Sequence, residues 1–473
     1  MLTIFGRQHR KCDGRTRRDF LAAGAMGFGG LTLADLLRSD AEAETGACTK
    51  ASRKAVINIH LDGGPPQMDM IDPKPDAPRE VRGEFSPIST KVPGLHLGEL
   101  LPKTASIADK IAFIRSLVGS TGQHNAYQCL SGFDKKDMAA FGGRPAMGSV
   151  IAKLRGSAQD TAPAFVDMMQ GRPLVRNSAR PGFLGPSFGP FRPDISHFFS
   201  RELEDKMVVE LANKGANHQT SLSLGEGLTA ERLRDRTKLL ASLDRIRRDV
   251  DASGMMDAAD RFTQQAVGIL TSGSFADALD LSKEDPRLVD RYTLKQIATP
   301  GRFTTSDQPA ASRKLLIARR LIEAGVRCVN LTLSDFDTHS GNFLRLRQIL
   351  PIFDHALHAL ITDLAERGML DDVSIVCWGE FGRTPKINAK AGRDHWPRVG
   401  MAMLAGGGIR GGQVIGSTDR TASSVRTRPV HYQEVLATLY HNLGFNLDRT
   451  TLIDPTGRPR YLLARREAIR ELV

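Results

Sequence analysis

The chain has 473 residues, 41% hydrophobic and 25% charged, with five Cys and a formal net charge of +12. This composition excludes a disordered, collagen-like or disulfide-dense chain as the main state, and 6% aromatics argue against an aromatic stacking platform. The basic surplus is scattered among acidic residues, as in RDRTKLLASLDRIRRDV; it predicts a solvated surface favouring anionic substrates, with no nucleic-acid partner.

The first forty residues read as an address. Thr16-Arg17-Arg18-Asp19-Phe20-Leu21 resembles a twin-arginine export signal, a short Gly/Ala-rich apolar run follows over 20–33, and Ala41-Glu42-Ala43 fits a small-x-small cleavage site. The expectation is a signal peptide over 1–43, a linker over 44–53 and one α/β domain over 54–473, periplasmic or secreted. No run of about 18 to 20 apolar residues occurs, so no stable transmembrane segment is expected after cleavage. Cys48, Cys129, Cys328 and Cys377 would remain, and no pairing is predicted.

Short apolar runs then recur at 55–61, 111–118, 326–333, 373–378 and 401–404, each followed by a loop. Such runs predict buried parallel strands. Residues 202–297 carry apolar positions at helical spacing and predict a helical insertion. A helix is expected over 312–324, with Ser312 at its start and Gly325 closing it.

Chemistry-bearing residues lie where these strands stop, which is where open α/β sheets bind ligands. Asp62 follows the first run. Asp335, Asp337 and His339 follow the third, and Glu380 follows the fourth. Asp394 and His395 precede the fifth. Carboxylates and imidazoles gathered at one edge suit one or two divalent cations, without which the carboxylates would repel one another. The mixed oxygen and nitrogen set admits Zn, Mn or Ca. Arg383 would either clamp an oxyanion or pair with Glu380, and Arg393 has the same two readings. The glycines at 406–408 and 411–412 lack the Lys-Ser/Thr of a phosphate loop and read as turns. His431 and His441 read as structural.

The stretches LDGGPPQMDMIDPKPDAP, LLIARRLIEAGVRCV, DFDTHSGNF, WGEFGRTPKINAKAGRDHWP and AGGGIRGGQVIGSTD resemble the DUF1501 family of exported bacterial proteins, within the alkaline phosphatase/sulfatase superfamily. The resemblance implies an alkaline-phosphatase-like three-layer sandwich, with a mostly parallel central sheet and helices on both faces. It also implies a two-cation site beneath a phosphate or sulfate group. Asp62 matches the superfamily's first-strand Asp, and the segment holding Asp335, Asp337 and His339 matches its later Asp/His pair, with Asp337 ranked first. Its Asp-His-Gly falls on Glu380-Phe381-Gly382, and its last His on His395, with Asp394 beside it as a further ligand or as a residue that orients one. Its nucleophile position falls near Gly122, which leaves Thr121, a one-residue shift away, or a cation-activated water. His124 would be a ligand, a nucleophile or a general acid. No Cys-x-Pro-Ser-Arg is present, so formylglycine chemistry is unsupported.

The resulting expectation is a metal-dependent hydrolase of phosphate or sulfate esters or diesters, acting on an anionic small molecule or polysaccharide. Asp62 and Glu380 would hold one cation, and Asp337, His339 and His395 the other. The alternative is a catalytically silent exported protein of the same fold that binds an anionic polysaccharide or a co-exported partner.

Overall fold

Seven consecutive buried residues, AVINIHL, form the central strand β1 (Ala55–Leu61). The run is apolar except at Asn58 and His60, and near-continuous apolar character is what a strand covered on both faces requires. The remaining strands that bear on the site are β2 (Ile111–Val118), β3 (Phe165–Met168), β4 (Cys328–Leu333), β5 (Val373–Trp378), the two-residue β6 (Gly382–Arg383) and β7 (His395–Trp396), β8 (Gly400–Ala405), β9 (Gln413–Ile415) and β10 (Val430–His431). The computed structural model describes residues 54–137, 142–157, 160–169, 179–193, 273–295 and 309–473, together with 195, 232, 235, 266–268 and 307. The export segment, the linker and most of the expected helical insertion lie outside the described residues. The described end of the insertion carries helices Ser274–Leu279 and Pro286–Tyr292.

Eight strands among the described residues form one sheet in the order β9-β2-β8-β5-β1-β4-β3, with β10 also on β2. β1 runs parallel to β4 and β5, β3 runs parallel to β4, and β9 and β10 run parallel to β2. β8 is antiparallel to both β2 and β5, so the expectation of a fifth parallel strand at 401–404 is corrected. A parallel neighbour needs a crossover connection, usually a helix. Between β5 and β8 the chain instead makes the small β6–β7 hairpin and returns alongside β5. The reversal has a direct consequence: the residues just before β8 arrive at the same edge as the residues just after β1, β4 and β5.

Helices cover both faces. α1 (Met147–Arg155) and α4 (Tyr432–Asn442) share one apolar cluster with Val56, Val376 and Trp378. α2 (Arg313–Glu323) and α3 (Asn342–Glu366) share the other with Ile57, Ile59 and Leu61. The architecture is the expected α/β three-layer sandwich with a mostly parallel central sheet. α2 starts after Ser312 and is closed by Gly325, whose φ of 104° suits glycine. The Ser312 hydroxyl does not cap the helix; it donates to the Pro309 carbonyl at 2.7 Å. His431 opens α4 through a capping box with Glu434, which gives it the structural role expected.

Candidate metal centre

Two groups of ligand atoms converge at the sheet edge. The outer group is built from three loops. Asp337 and His339 follow β4, and His395 begins β7. Asp337 Oδ1 lies 3.1 Å from His339 Nε2 and 3.3 Å from His395 Nε2, and the two Nε2 atoms are 3.1 Å apart. The other ring nitrogen of each histidine fixes its tautomer. His395 Nδ1 faces the Gly122 carbonyl at 2.8 Å, and a carbonyl only accepts, so Nδ1 donates. His339 Nδ1 likewise donates to the Asp394 carboxylate at 2.6 Å. Where both rings are neutral, their Nε2 atoms turn two nitrogen lone pairs towards one carboxylate oxygen.

Close backbone approach makes this convergence feasible. A Cβ on Gly392 would collide with the His339 carbonyl, and one on Gly63 would collide with the backbone of Asp337. Asn388 donates to the other Asp394 oxygen at 3.2 Å and fixes that carboxylate. Phe381 stacks on His395 with centroids 4.1 Å apart, and so holds the ring from its apolar side.

The inner group is more deeply set. His60 sits on β1 level with Trp378 of β5 and Thr332 of β4. Its Nε2 is 3.6 Å from Asp62 Oδ1 and 3.4 Å from Glu380 Oε2, and both the His60 and Glu380 side chains are 0% exposed. Glu380 Oε1 accepts from the Gly63 N–H at 3.0 Å. Burial pushes the Asp62 carboxyl up, and the nearby Glu380 adds to this. Burial also works against a charged Glu380, but the bond from His124 and the charge of His60 outweigh it and hold Glu380 low. His60 is pulled down by burial and raised, on balance, by Asp62 and Glu380.

His124 stands between the two groups. Its Nε2 is 3.3 Å from Asp337 Oδ2 and its Nδ1 is 3.2 Å from Glu380 Oε1. Bonding to Asp337 and then to Glu380 pushes it up to about 9. Burial would raise Asp337, but its neighbours His124, His395 and Arg383 hold it well below the usual carboxylate range. The turn carrying His124 is latched to Glu380: the Ser120 hydroxyl and the Gln128 amide both donate to the Glu380 carbonyl at 2.7 Å.

The structure thus brings Asp337, His339 and His395 together, with Asp394 behind His339, and places Asp62 beside Glu380. Three expectations change. Thr121 is exposed and makes no side-chain hydrogen bond among the described residues; the turn faces Ser120 inward instead, so no group is placed to activate the Thr121 hydroxyl. Asp335 belongs to neither triad; its φ of 75° turns the chain there, and Asp337 is the carboxylate that arrives. Arg383 is no oxyanion clamp and does not pair with Glu380. It is fully buried and donates to Asp337 at 2.6 Å, to Gly64 at 3.1 Å, to Arg393 at 2.9 Å and to the Gly63 carbonyl, which makes it a positioning residue for Asp337. Arg393 is similarly engaged, donating to both Asp69 oxygens at 2.8 and 2.9 Å.

Sequence reasoning missed His60, because it sits inside a run read as core. The signal available was its spacing: two residues before Asp62, on the same side of an extended chain.

Comparison with curated proteins returned no match. Solved structures give low-level likenesses. A sulfatase from Pseudoalteromonas sp. is 13% identical, with 87% of this chain and 70% of that one covered and a TM-score of 0.36. The phosphonate monoester hydrolase of Silicibacter pomeroyi is 12% identical, with 83% and 73% covered and a TM-score of 0.30. That of Agrobacterium radiobacter is 12% identical, with 83% and 74% covered and a TM-score of 0.29. Residues 53–473 match the family described as protein of unknown function DUF1501, and the chain belongs to that family.

Proposed function

We propose that the protein is an exported, divalent-cation-dependent hydrolase of phosphate or sulfate esters or diesters. One observation carries the reading: two imidazole Nε2 atoms 3.1 Å apart face one carboxylate oxygen, while the Nδ1 of each ring is engaged as a donor. With both rings neutral, lone pairs at that separation repel, and a cation among them would relieve the repulsion. Zinc-ligand bonds of about 2.0 to 2.1 Å at tetrahedral angles put neighbouring ligand atoms roughly 3.3 to 3.4 Å apart, close to the 3.1 to 3.3 Å edges of this triangle. The mixed oxygen and nitrogen donors suit Zn or Mn, and also admit Ca.

Asp337, His339 and His395 would hold the cation, and Asp394, Gly122 and Arg383 hold those three in place. A bound divalent cation supplies positive charge for the ester oxygens and acidifies water for attack. His124, held between Asp337 and Glu380, is placed to give a proton to the departing oxygen. The side chains of Asp337 and His339 are 35% and 48% exposed, so an extended anionic ester has access from solvent. Residues 16–33 would send the protein through the twin-arginine route to the periplasm or beyond.

The exposed Thr121 and the Gly122 beside it favour a second reading, a silent binding protein for an anionic polysaccharide or a co-exported partner. Elemental analysis of the purified protein, with a panel of aryl phosphates, diesters and sulfates, separates the two. The hydrolase reading expects bound metal and turnover of one ester class, with both lost in His339→Ala. Metal-free protein, or turnover unchanged in that variant, refutes it. Polysaccharide binding without turnover by either form establishes the second reading.

A further inference from the structure

We propose that His60 is a cation ligand, completing with Asp62 and Glu380 an inner site that takes a borderline cation of the Zn2+ class in preference to Ca2+ or Mg2+. The inference rests on the reading of the sheet edge as a cation centre and adds a ligand and a selectivity to it.

Three observations carry it. First, both ring nitrogens of His60 and Oε2 of Glu380 are buried with no hydrogen-bond partner among the described residues. A buried polar atom left unpaired costs about 1 to 3 kcal/mol, and two of these, His60 Nε2 and Glu380 Oε2, lie 3.4 Å apart beside Asp62 and point to an occupant there. Second, the separations are too long for hydrogen bonds and suit coordination. A protonated imidazole bonded to a carboxylate lies about 2.7 to 2.9 Å from it, whereas His60 Nε2 stands 3.6 and 3.4 Å from Asp62 and Glu380. Tetrahedral coordination at about 2.0 to 2.1 Å gives edges of roughly 3.3 to 3.4 Å. Third, Asp62 and Glu380 bring two carboxylates to one buried place, and a water offers them hydrogen bonds but no charge.

The inner site also differs in kind from an oxygen-only cage. Ca2+ and Mg2+ take oxygen ligands in numbers of six or more. Three protein ligands including an imidazole, with a position left open, is the pattern of a catalytic zinc site. β1 is hydrogen-bonded on both sides, to β4 and β5, so the ring is carried by a strand held at both edges.

The test strips the full chain with chelator, reloads it with Zn2+ alone, and counts zinc per chain after gel filtration. Wild type should retain two ions. His60→Gln should retain one, with affinity at the lost site down more than about 100-fold, since even outer-sphere changes cost 10 to 100-fold. His339→Gln should also retain one, the inner ion. Two ions in His60→Gln overturn the inference and leave the cation reading standing. One ion in wild type that survives in His60→Gln and is lost from His339→Gln does the same. No zinc in wild type overturns both. A second measurement reads the wild type directly: in its 15N-histidine spectrum zinc should move the His60 nitrogen resonance, assigned by its loss in His60→Phe. An unmoved His60 resonance overturns the proposal.

Discussion

Asp394→Asn tests the outer triad through a residue that does not itself touch the cation in the proposed arrangement. Asp394 accepts the His339 Nδ1 proton at 2.6 Å, which aims Nε2 at Asp337. An Asn oxygen can still accept that proton, so the tautomer survives and only the negative charge is lost. Removing such an outer partner costs 10 to 100-fold in metal affinity. The Asp394 side chain is 52% exposed, so solvent screens its charge, and the low end applies: about tenfold, or roughly 1.4 kcal/mol. The assay is zinc competition against a chromophoric chelator at fixed pH and ionic strength. Affinity indistinguishable from wild type, in a variant with an unchanged thermal melt, would refute the argument that Asp394 tunes His339. A loss equal to that of His339→Ala would refute it too, because it would make Asp394 itself a ligand.

Three further outcomes follow from the geometry. Arg393→Met strands Asp69, a buried carboxylate bonded by Arg393 and Asn342; it should cost about 3 to 5 kcal/mol in urea unfolding, and a loss below about 1 kcal/mol would place the pair among surface bridges. Glu284 is disfavoured by burial, yet bonds from Arg320 and the nearby Arg319 hold it down at about 2. A depressed carboxyl adds stability that is fully present above its ordinary 4.5 and fades as pH falls towards 2, so Glu284→Gln should flatten the acid limb of a stability curve between those limits. Replacing Arg17 and Arg18 by Lys should leave the protein in the cytoplasm on cell fractionation, and unchanged export would remove the twin-arginine reading.

Strand positions were legible in the sequence because strands buried on both faces are mostly apolar runs, as at AVINIHL, where only Asn58 and His60 are polar. The direction of β8 was not, since an apolar run reads the same in either direction and only the missing crossover helix distinguishes them. β3 is four residues long and gave too short a pattern to register. Within the site, acidic residues after strands stood out, but strand-interior chemistry did not, which is why His60 was overlooked. Arg383 shows the reverse failure: a cation near carboxylates looks catalytic in sequence, and only burial reveals that its donors are engaged inside the protein.

In the proposed cation centre, the long-range pairing of β1 would set when the chain could first hold an ion. β1 emerges early in synthesis, but Asn58 meets Asn330 across 272 residues of chain, and Gly63 meets Glu380 across 317. Contacts of such high sequence separation form late and slowly. Until the C-terminal third is made, His60 and Asp62 lack Glu380, so on the proposed reading a nascent or truncated polypeptide would not capture metal at this centre. Ion uptake would thereby report that the chain is finished and folded.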